Sequence, residues 1–532
     1  MDEGFQLLYP RGYKKEQQVP LKDFEFIKLL QLDEMVVLIN QNYLGMKQIS
    51  LEDYFCTDSK VLEYRLSIVE DLVENPALYK IFCDAIPTIR NIKDLFCVMS
   101  SDFSVDTSLS SIRYLEIYLE VVDLFAEGLK NLELHSEGML AFRKQIMEIY
   151  ESEDFCNLKK ELSKTQTCFG NIKSLTLGVN LDETLSVTEA GIISIEEKHF
   201  HSGTIIEKLL KKNPKDSFSL ISPVYPVNRG LHGEELKAIN MSLKSALTTI
   251  YSKSVHSFEP LVQKYYNANT TFFIGLLDDI RFLTAGVKFI LEMKEKGFDM
   301  CRPQCAPIEE KRCELEGVYN PMLAKVAVEK TIVSNRFTFD ENGRFYLVTG
   351  PNHGGKSIFA YSIGMAQALF QLGLFVPAKS AVMSPVTGIF THFPTSDENN
   401  FGKGRLESEC ERLSNTMKQL SDTDMLLMDE SFSSTSGLEA GYIASEVLTG
   451  IGIIGCGGIY VTHIHDLPLQ MEKYNSHPDN KGKIDNLTAQ MENKSDGTRS
   501  YKIARTTPDG LSYARDIASR YGLNLEGILR GK

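Results

Sequence analysis

The sequence predicts an α/β domain at the C-terminal end, built on a mostly parallel sheet, behind a mainly α-helical region carrying a small β insert. Three observations predict it. From about residue 316, strand-like and helix-like segments alternate, the order of βαβ units. Within that part, 347-LVTGPNHGGKSIF-359 runs from an apolar strand through a glycine-rich turn into a helix start. Before it, long segments with apolar residues three to four positions apart are interrupted at 170–197, where β-branched residues alternate with turn formers.

The elements follow in order. Residues 1–167 read as helices, with clear amphipathic spacing in 60–82 and 111–132. Pro87 and the polar stretch 100–111 are expected to break that pattern. Short strands are expected in 170–197 and 217–227, then long helices in 233–266 and 272–297. A β insert between long helices describes an arm with a tip. The C-terminal part then offers strand 345–350, a helix from Gly355 to about Leu372, strand 425–430, a helix near 438–450 and strand 458–463. The domains implied are 1–100, a helical segment; 101–315, helices with the β insert at about 168–228; and 316–532, the α/β domain.

At 532 residues, 43% hydrophobic and 24% charged, the chain is long enough for several domains and too apolar for disorder. Its net charge is −14, and residues 1–315 hold 36 basic against 47 acidic side chains. That balance opposes a general nucleic-acid footprint and leaves room only for a local one. Apolar runs such as 425-MLLM-428 fall short of a membrane span, no export signal is visible at the start, and ten scattered cysteines suggest reduced thiols in a cytosolic protein. Cys301, Cys305 and Cys313 are spaced C-x3-C-x7-C without a fourth ligand nearby, a poor zinc pattern.

Gly350, Gly355, Lys356 and Ser357 satisfy G-x-x-x-x-G-K-[ST], a loop whose backbone N–H groups cradle phosphate. Pro351, Asn352, His353 and Gly354 fill it. Lys356 is expected on the β/γ-phosphates of ATP and the Ser357 hydroxyl on Mg2+. Asp429 ends an apolar strand, the place of a second Mg2+ ligand, and Glu430 beside it suits a general base for water. His463 ends a further strand and could sense the γ-phosphate; with His465 it is a weaker metal pair. Together these suggest an ABC-type ATPase.

The wording of the motifs narrows this. G-P-N-x-G-G-K-S, then 373-GLFVPAKSA-381, 388-GIFTHF-393, MDE, 434-STSGLEAG-441 and VTHIHDL closely resemble the DNA mismatch-repair MutS family across roughly 316–520. Upstream, the order helices, β tip, helices resembles that family's core, lever and clamp more weakly. The resemblance implies a cytoplasmic, ATP- and Mg2+-dependent homodimer that grips duplex or structured DNA in repair or recombination. Three departures matter. About 315 residues precede the ATPase region, too few for every family domain, so direct mismatch reading is not expected; Phe125–Glu127 and Phe339–Glu341 read as chance matches to the family's Phe-x-Glu wedge. Ending at Lys532, the chain is also expected to lack the nuclease module of some paralogues. Around adenine, Ile332 takes the family's aromatic position and Arg505 that of its histidine. In the loop expected to cap the partner's γ-phosphate, Gly404 stands near the serine position, followed by Arg405, with Lys403 nearby.

Lys208, Lys211, Lys212 and Lys215 in the β tip are DNA-backbone candidates, although Glu207 and Asp216 beside them also fit a solvated face. The aromatic-rich 265–273 reads as core or hinge. The rival reading is an ABC-type switch that binds a protein partner and not DNA.

Overall fold

The computed structural model describes residues 5–14, 19–40, 48–101, 107–169, 174–185, 187–196, 198, 242–243, 246, 270–327, 332–394, 404–432, 434–464, 466–493, 498–506, 521 and 528. The strand expected at 217–227, most of the helix at 233–266, the four tip lysines, Lys403 and His465 lie outside them. The described elements are α1 (Phe26–Leu29), α2 (Asp33–Asn40), α3 (Ser59–Glu74), α4 (Pro76–Ser101), α5 (Thr107–Leu129), α6 (Glu137–Tyr150) and α7 (Glu153–Phe169), then the strands β1 (Ser174–Leu181) and β2 (Val187–Glu196). After α8 (Thr270–Glu295) come β3 (Gln304–Cys305), β4 (Cys313–Val318), α9 (Pro321–Val326), β5 (Asn335–Thr338) and β6 (Phe345–Thr349). The chain continues with α10 (Lys356–Gln371), β7 (Ser380–Met383), β8 (Ile389–His392), α11 (Arg405–Gln419), β9 (Met425–Asp429), α12 (Gly437–Ile454), β10 (Gly457–Val461), α13 (Met471–Asn475), β11 (Ile484–Asn493) and β12 (Thr498–Arg505).

These form two compact units that do not follow chain order. One contains 80–133 and 141–280; the other contains 1–79, 134–140 and 281–532. In the first, helical residues converge on aromatic side chains. Phe82 and Phe142 both meet Phe125 edge-on, with centroids 5.7 and 5.0 Å away, the favoured arrangement for ring quadrupoles. Pro87 does not end its helix: α4 runs through it. Proline removes one backbone bond, but Phe82, Ala85, Ile86, Ile89 and Ile92 are all buried around it, and that burial outweighs the loss. The strands β1 and β2 form an antiparallel hairpin, as their alternation suggests.

The larger unit is organised by a six-stranded sheet in the order β12-β11-β6-β10-β9-β8, parallel except for β12. Every residue of β6, β9 and β10 is buried. That explains their continuous apolar runs: strands covered on both faces show no alternation. A second sheet, β3-β7-β4-β5, lies in the same unit. Residues before 80 belong here through specific contacts. Lys22 Nζ lies 2.7 Å from Asp424 Oδ2, Cys56 N–H donates to the Gln371 carbonyl at 2.8 Å, and Gly373 leaves only a hydrogen where a Cβ would sit 2.6 Å from that of Arg65. Nothing in the local periodicity of 1–79 signals these long-range partners.

The helix α12 is long and apolar enough to cross a membrane by length and composition. Its Ala440, Ala444, Leu448 and Ile451 are buried in the core cluster with Leu426, Met428 and Tyr460 of the sheet. Because β6, β9 and β10 are mutually parallel, the loops leaving their C-terminal ends share one edge. In such sheets that edge carries the ligand site.

Candidate functional site

The loop between β6 and α10 depends on glycine. Gly350 has φ +123°, and a Cβ there would lie 3.0 Å from the backbone nitrogen of Ala489; at Gly354 it would lie 2.9 Å from the Pro351 carbonyl oxygen. Gly355 adopts a left-handed conformation and caps α10 without a side-chain hydrogen bond. The first-turn amides of α10 thus point out of the loop together with the positive end of the helix, an arrangement suited to an anion. Pro351 and Gly354 are buried, Asn352 and His353 exposed. Lys356, 5% exposed, folds its ammonium back onto the carbonyls of Gly350 and Pro351 at 3.1 and 3.0 Å. Burial pulls its pKa down, opposed by the charges of Glu430 and Asp429.

Asp429, at the end of β9, accepts hydrogen bonds from Ser357 Oγ at 3.0 Å and from the Tyr361 hydroxyl at 3.2 Å. Burial raises its pKa, and the Ser357 hydrogen bond acts the other way. A hydroxyl and a carboxylate held 3.0 Å apart form an all-oxygen set that suits a hard divalent cation such as Mg2+. Glu430 follows in a left-handed conformation, φ +46°, and its N–H donates to the Val461 carbonyl across to β10. Its Oε1 lies 2.6 Å from His463 Nε2. Beside this pair is a cavity of about 430 Å³ lined by residues including Phe432, Thr435, Ala440, Ile464 and Asp466.

The fold therefore brings together Gly350 to Ser357 with Asp429, and Glu430 with His463, from three loops. Ile332 is half-buried just before β5; Asn335 bonds the Tyr501 carbonyl and the Ile503 N–H, which lays this segment along β12. Arg505 does not join the loop. Its guanidinium is taken by Asp340, Asp485 and the Tyr346 hydroxyl, and it lies over the Tyr346 ring at the start of β6, whereas the loop leaves the end of that strand. Gly404 and Arg405, both exposed, form the N-cap and first residue of α11. Phe125 is a fully buried core ring, and Phe339 stacks on Tyr346. Cys301, Cys305 and Cys313 lie at or near the second sheet, where burial pushes the Cys301 and Cys313 thiols up to about 12.

Sequence reasoning missed three contributors. Tyr361 lies four residues after Ser357, on the same helical face, a spacing that could have indicated it. Tyr501, left-handed at φ +56°, would meet a Cβ on Gly355 at 3.5 Å, and no local pattern announces it. Ser431 is held by the buried His392 at 2.8 Å, a pairing between positions 39 residues apart.

The chain is similar to known proteins in both its regions. A family model described as MutS domain V matches residues 346–523, and one described as MutS2 N-terminal domain matches residues 57–296. The DNA mismatch repair protein MutS of Clostridium tetani is 24% identical over 529 residues, covering 88% of this chain and 54% of its own length. That of Petrotoga mobilis is 24% identical, covering 90% and 58%. That of Prochlorococcus marinus strain AS9601 is 32% identical over 151 residues, covering 28% and 16%. The chain thus spans little more than half the length of the Clostridium tetani and Petrotoga mobilis relatives. With the regions before and within the α/β domain both matched, the chain belongs to the MutS family.

Proposed function

We propose that this protein is a Mg2+-dependent ATPase with an ABC-type P-loop domain, acting as an ATP-controlled dimeric clamp on DNA. The carrying observation is the pairing of Ser357 with Asp429 and of Glu430 with His463, beside a loop whose helix N-terminus is free for phosphate. Lys356 and the loop amides from Gly350 to Ser357, with Pro351, Asn352, His353 and Gly354 shaping the loop, bind the phosphates. Ser357 and Asp429 would hold Mg2+, which when bound would neutralise charge on the transferred group. Glu430 orients the attacking water and takes up its proton; His463 fixes the Glu430 carboxylate on that side. Ile332 covers the base, with Tyr501 across from the loop, while Arg505 remains in its ion pairs. Gly404 and Arg405 complete the γ-phosphate site of a second copy.

The relatives are DNA mismatch repair proteins, which favours DNA as partner. Lys208, Lys211, Lys212 and Lys215 are its proposed contacts, in repair or recombination without direct mismatch reading. A cytosolic setting is part of this reading. The acidic balance of residues 1–315 favours the second reading, a nucleotide switch that engages a protein and not DNA. ATP turnover measured with and without duplex and branched DNA, alongside Glu430→Gln, separates these. The expected result is DNA-dependent turnover, reduced at least about 100-fold by Glu430→Gln with ATP affinity retained. Unchanged turnover in that variant removes Glu430 from the chemistry, and indifference to every DNA supports the protein-binding switch.

A further inference from the structure

The turn that carries the proposed general base is strained and held from outside. Glu430 and Phe432 both adopt left-handed conformations, φ +46° and +65°, on either side of Ser431. For side chains larger than glycine each costs roughly 1–2 kcal/mol, so such a turn persists only where its surroundings impose it. Three buried side chains, Glu409, His392 and Tyr460, restrain it. Glu409 of α11, 8% exposed, accepts the Phe432 N–H at 2.6 Å on Oε1 and the Ser434 hydroxyl at 3.3 Å on Oε2. The Ser431 hydroxyl lies 2.8 Å from His392 Nδ1, and the Ser431 carbonyl accepts the Tyr460 hydroxyl at 3.2 Å. His392 Nε2 lies 3.4 Å from the backbone carbonyl of Glu409. That contact makes Nε2 the donor, so Nδ1 accepts from Ser431.

We infer that Glu409 is a positioning residue for Glu430: its carboxylate pins the turn 430–432 and ties it to α11. The inference rests on the proposed ATP hydrolysis at this site. A carboxylate is acceptor-only, and one sunk in the fold is tolerated because it takes two hydrogen bonds from the turn. Those bonds fix the backbone immediately after Glu430 and hold its carboxylate against His463. Glu409 also stands on the same helix as Gly404 and Arg405, within about one and a half turns of the N-cap. A helix moves as a rigid element over that distance. A shift of the α11 N-terminus therefore reaches the water-orienting carboxylate of the same chain through one side chain. The Glu409 carboxylate hydrogen-bonds Phe432 and Ser434 and, among the described residues, no group of the phosphate loop, so its loss is expected to act on turnover and not on binding.

The test measures ATP turnover, ATP dissociation constant and thermal midpoint on the full chain for Glu409→Ala and Glu409→Gln. Glu409→Ala is expected to lower kcat about 10–100-fold while the ATP dissociation constant stays within about 2-fold, as sub-ångström misplacement of a water-orienting group does. Glu409→Gln keeps an acceptor for the Phe432 N–H and is expected to recover most of the lost turnover. Wild-type turnover in Glu409→Ala overturns the inference while leaving the ATPase reading intact. So does a loss of kcat, nucleotide affinity and thermal midpoint together in both variants, which marks a merely structural group. A wild-type chain that binds ATP without hydrolysing it overturns both.

Discussion

His392 is 1% exposed, and burial is the main reason its pKa falls to about 4. In the unfolded chain an imidazole titrates near 6.5. Between those values the unfolded state binds the extra proton and the native state does not, so stability rises with pH across that window and is lost as pH falls through it. From pH 7 to pH 5 this one residue accounts for about 2 kcal/mol of lost stability. Denaturation midpoints in urea at several pH values check this. His392→Gln is expected to flatten the acid limb by that amount, even if it lowers stability at pH 7. An acid limb unchanged in the variant would assign the loss to carboxylates. At this scale the linear motif residues were legible. Gly350, Gly355, Lys356, Ser357, Asp429 and Glu430 announce themselves because the chemistry proposed for them needs fixed spacing along one strand-turn-helix or one strand end. His392 and Glu409 did not, because their roles depend on contacts between β8, α11 and the turn after β9, which no local window contains.

Among elements, glycines separate two kinds of constraint. Gly458, in β10, faces the neighbouring strand so closely that a Cβ would fall 2.0 Å from the Leu426 carbonyl oxygen of β9. Backbone inside a central sheet cannot give way as a side-chain tip can, so Gly458→Ala is expected to cost about 3 kcal/mol or more. Gly441, inside α12, has only an ordinary 3.7 Å contact with Ile464 and no positive φ. Gly441→Ala is expected to stabilise by about 0.5–1 kcal/mol, from reduced freedom of the unfolded chain. Urea midpoints for the pair decide the matter: equal effects would mean that the β9–β10 approach relaxes. Element types were the most legible part of the fold, since a buried parallel strand and an amphipathic helix each leave their own periodicity in β9 and α3. One reading failed for a physical reason. Pro87 looked like a breaker, but tertiary burial of the residues around it carries α4 through. The ion pair of Arg505 with Asp340, 165 positions away in sequence, could not be read from either segment.

For the whole molecule, the proposed cycle depends on two copies, and α11 supplies the geometry for a test. Its N-terminus, Gly404 and Arg405, is exposed and turned to extended backbone just before the helix. Its positive end and the Arg405 cation suit an anion presented by another chain, as trans-acting arginines do in other P-loop enzymes. The loop lysine acts within its own chain, so Lys356→Ala and Arg405→Ala disable opposite halves of a shared site. Each variant alone is expected to lose most turnover, Lys356→Ala through weaker ATP binding and Arg405→Ala with ADP binding to the monomer spared. In a mixture, a heterodimer contains one site with Lys356 from the Arg405→Ala chain and Arg405 from the Lys356→Ala chain. That site is complete, so turnover is expected to recover toward roughly a quarter of wild type when half of the dimers are mixed and each holds one working site of two. Subunit exchange is verified by differently tagged chains. Recovery requires that the two groups meet across the interface. A verified heterodimer as inactive as its parents would place Arg405 in its own chain's site, and full activity of Arg405→Ala alone would leave the loop before α11 without a part in hydrolysis.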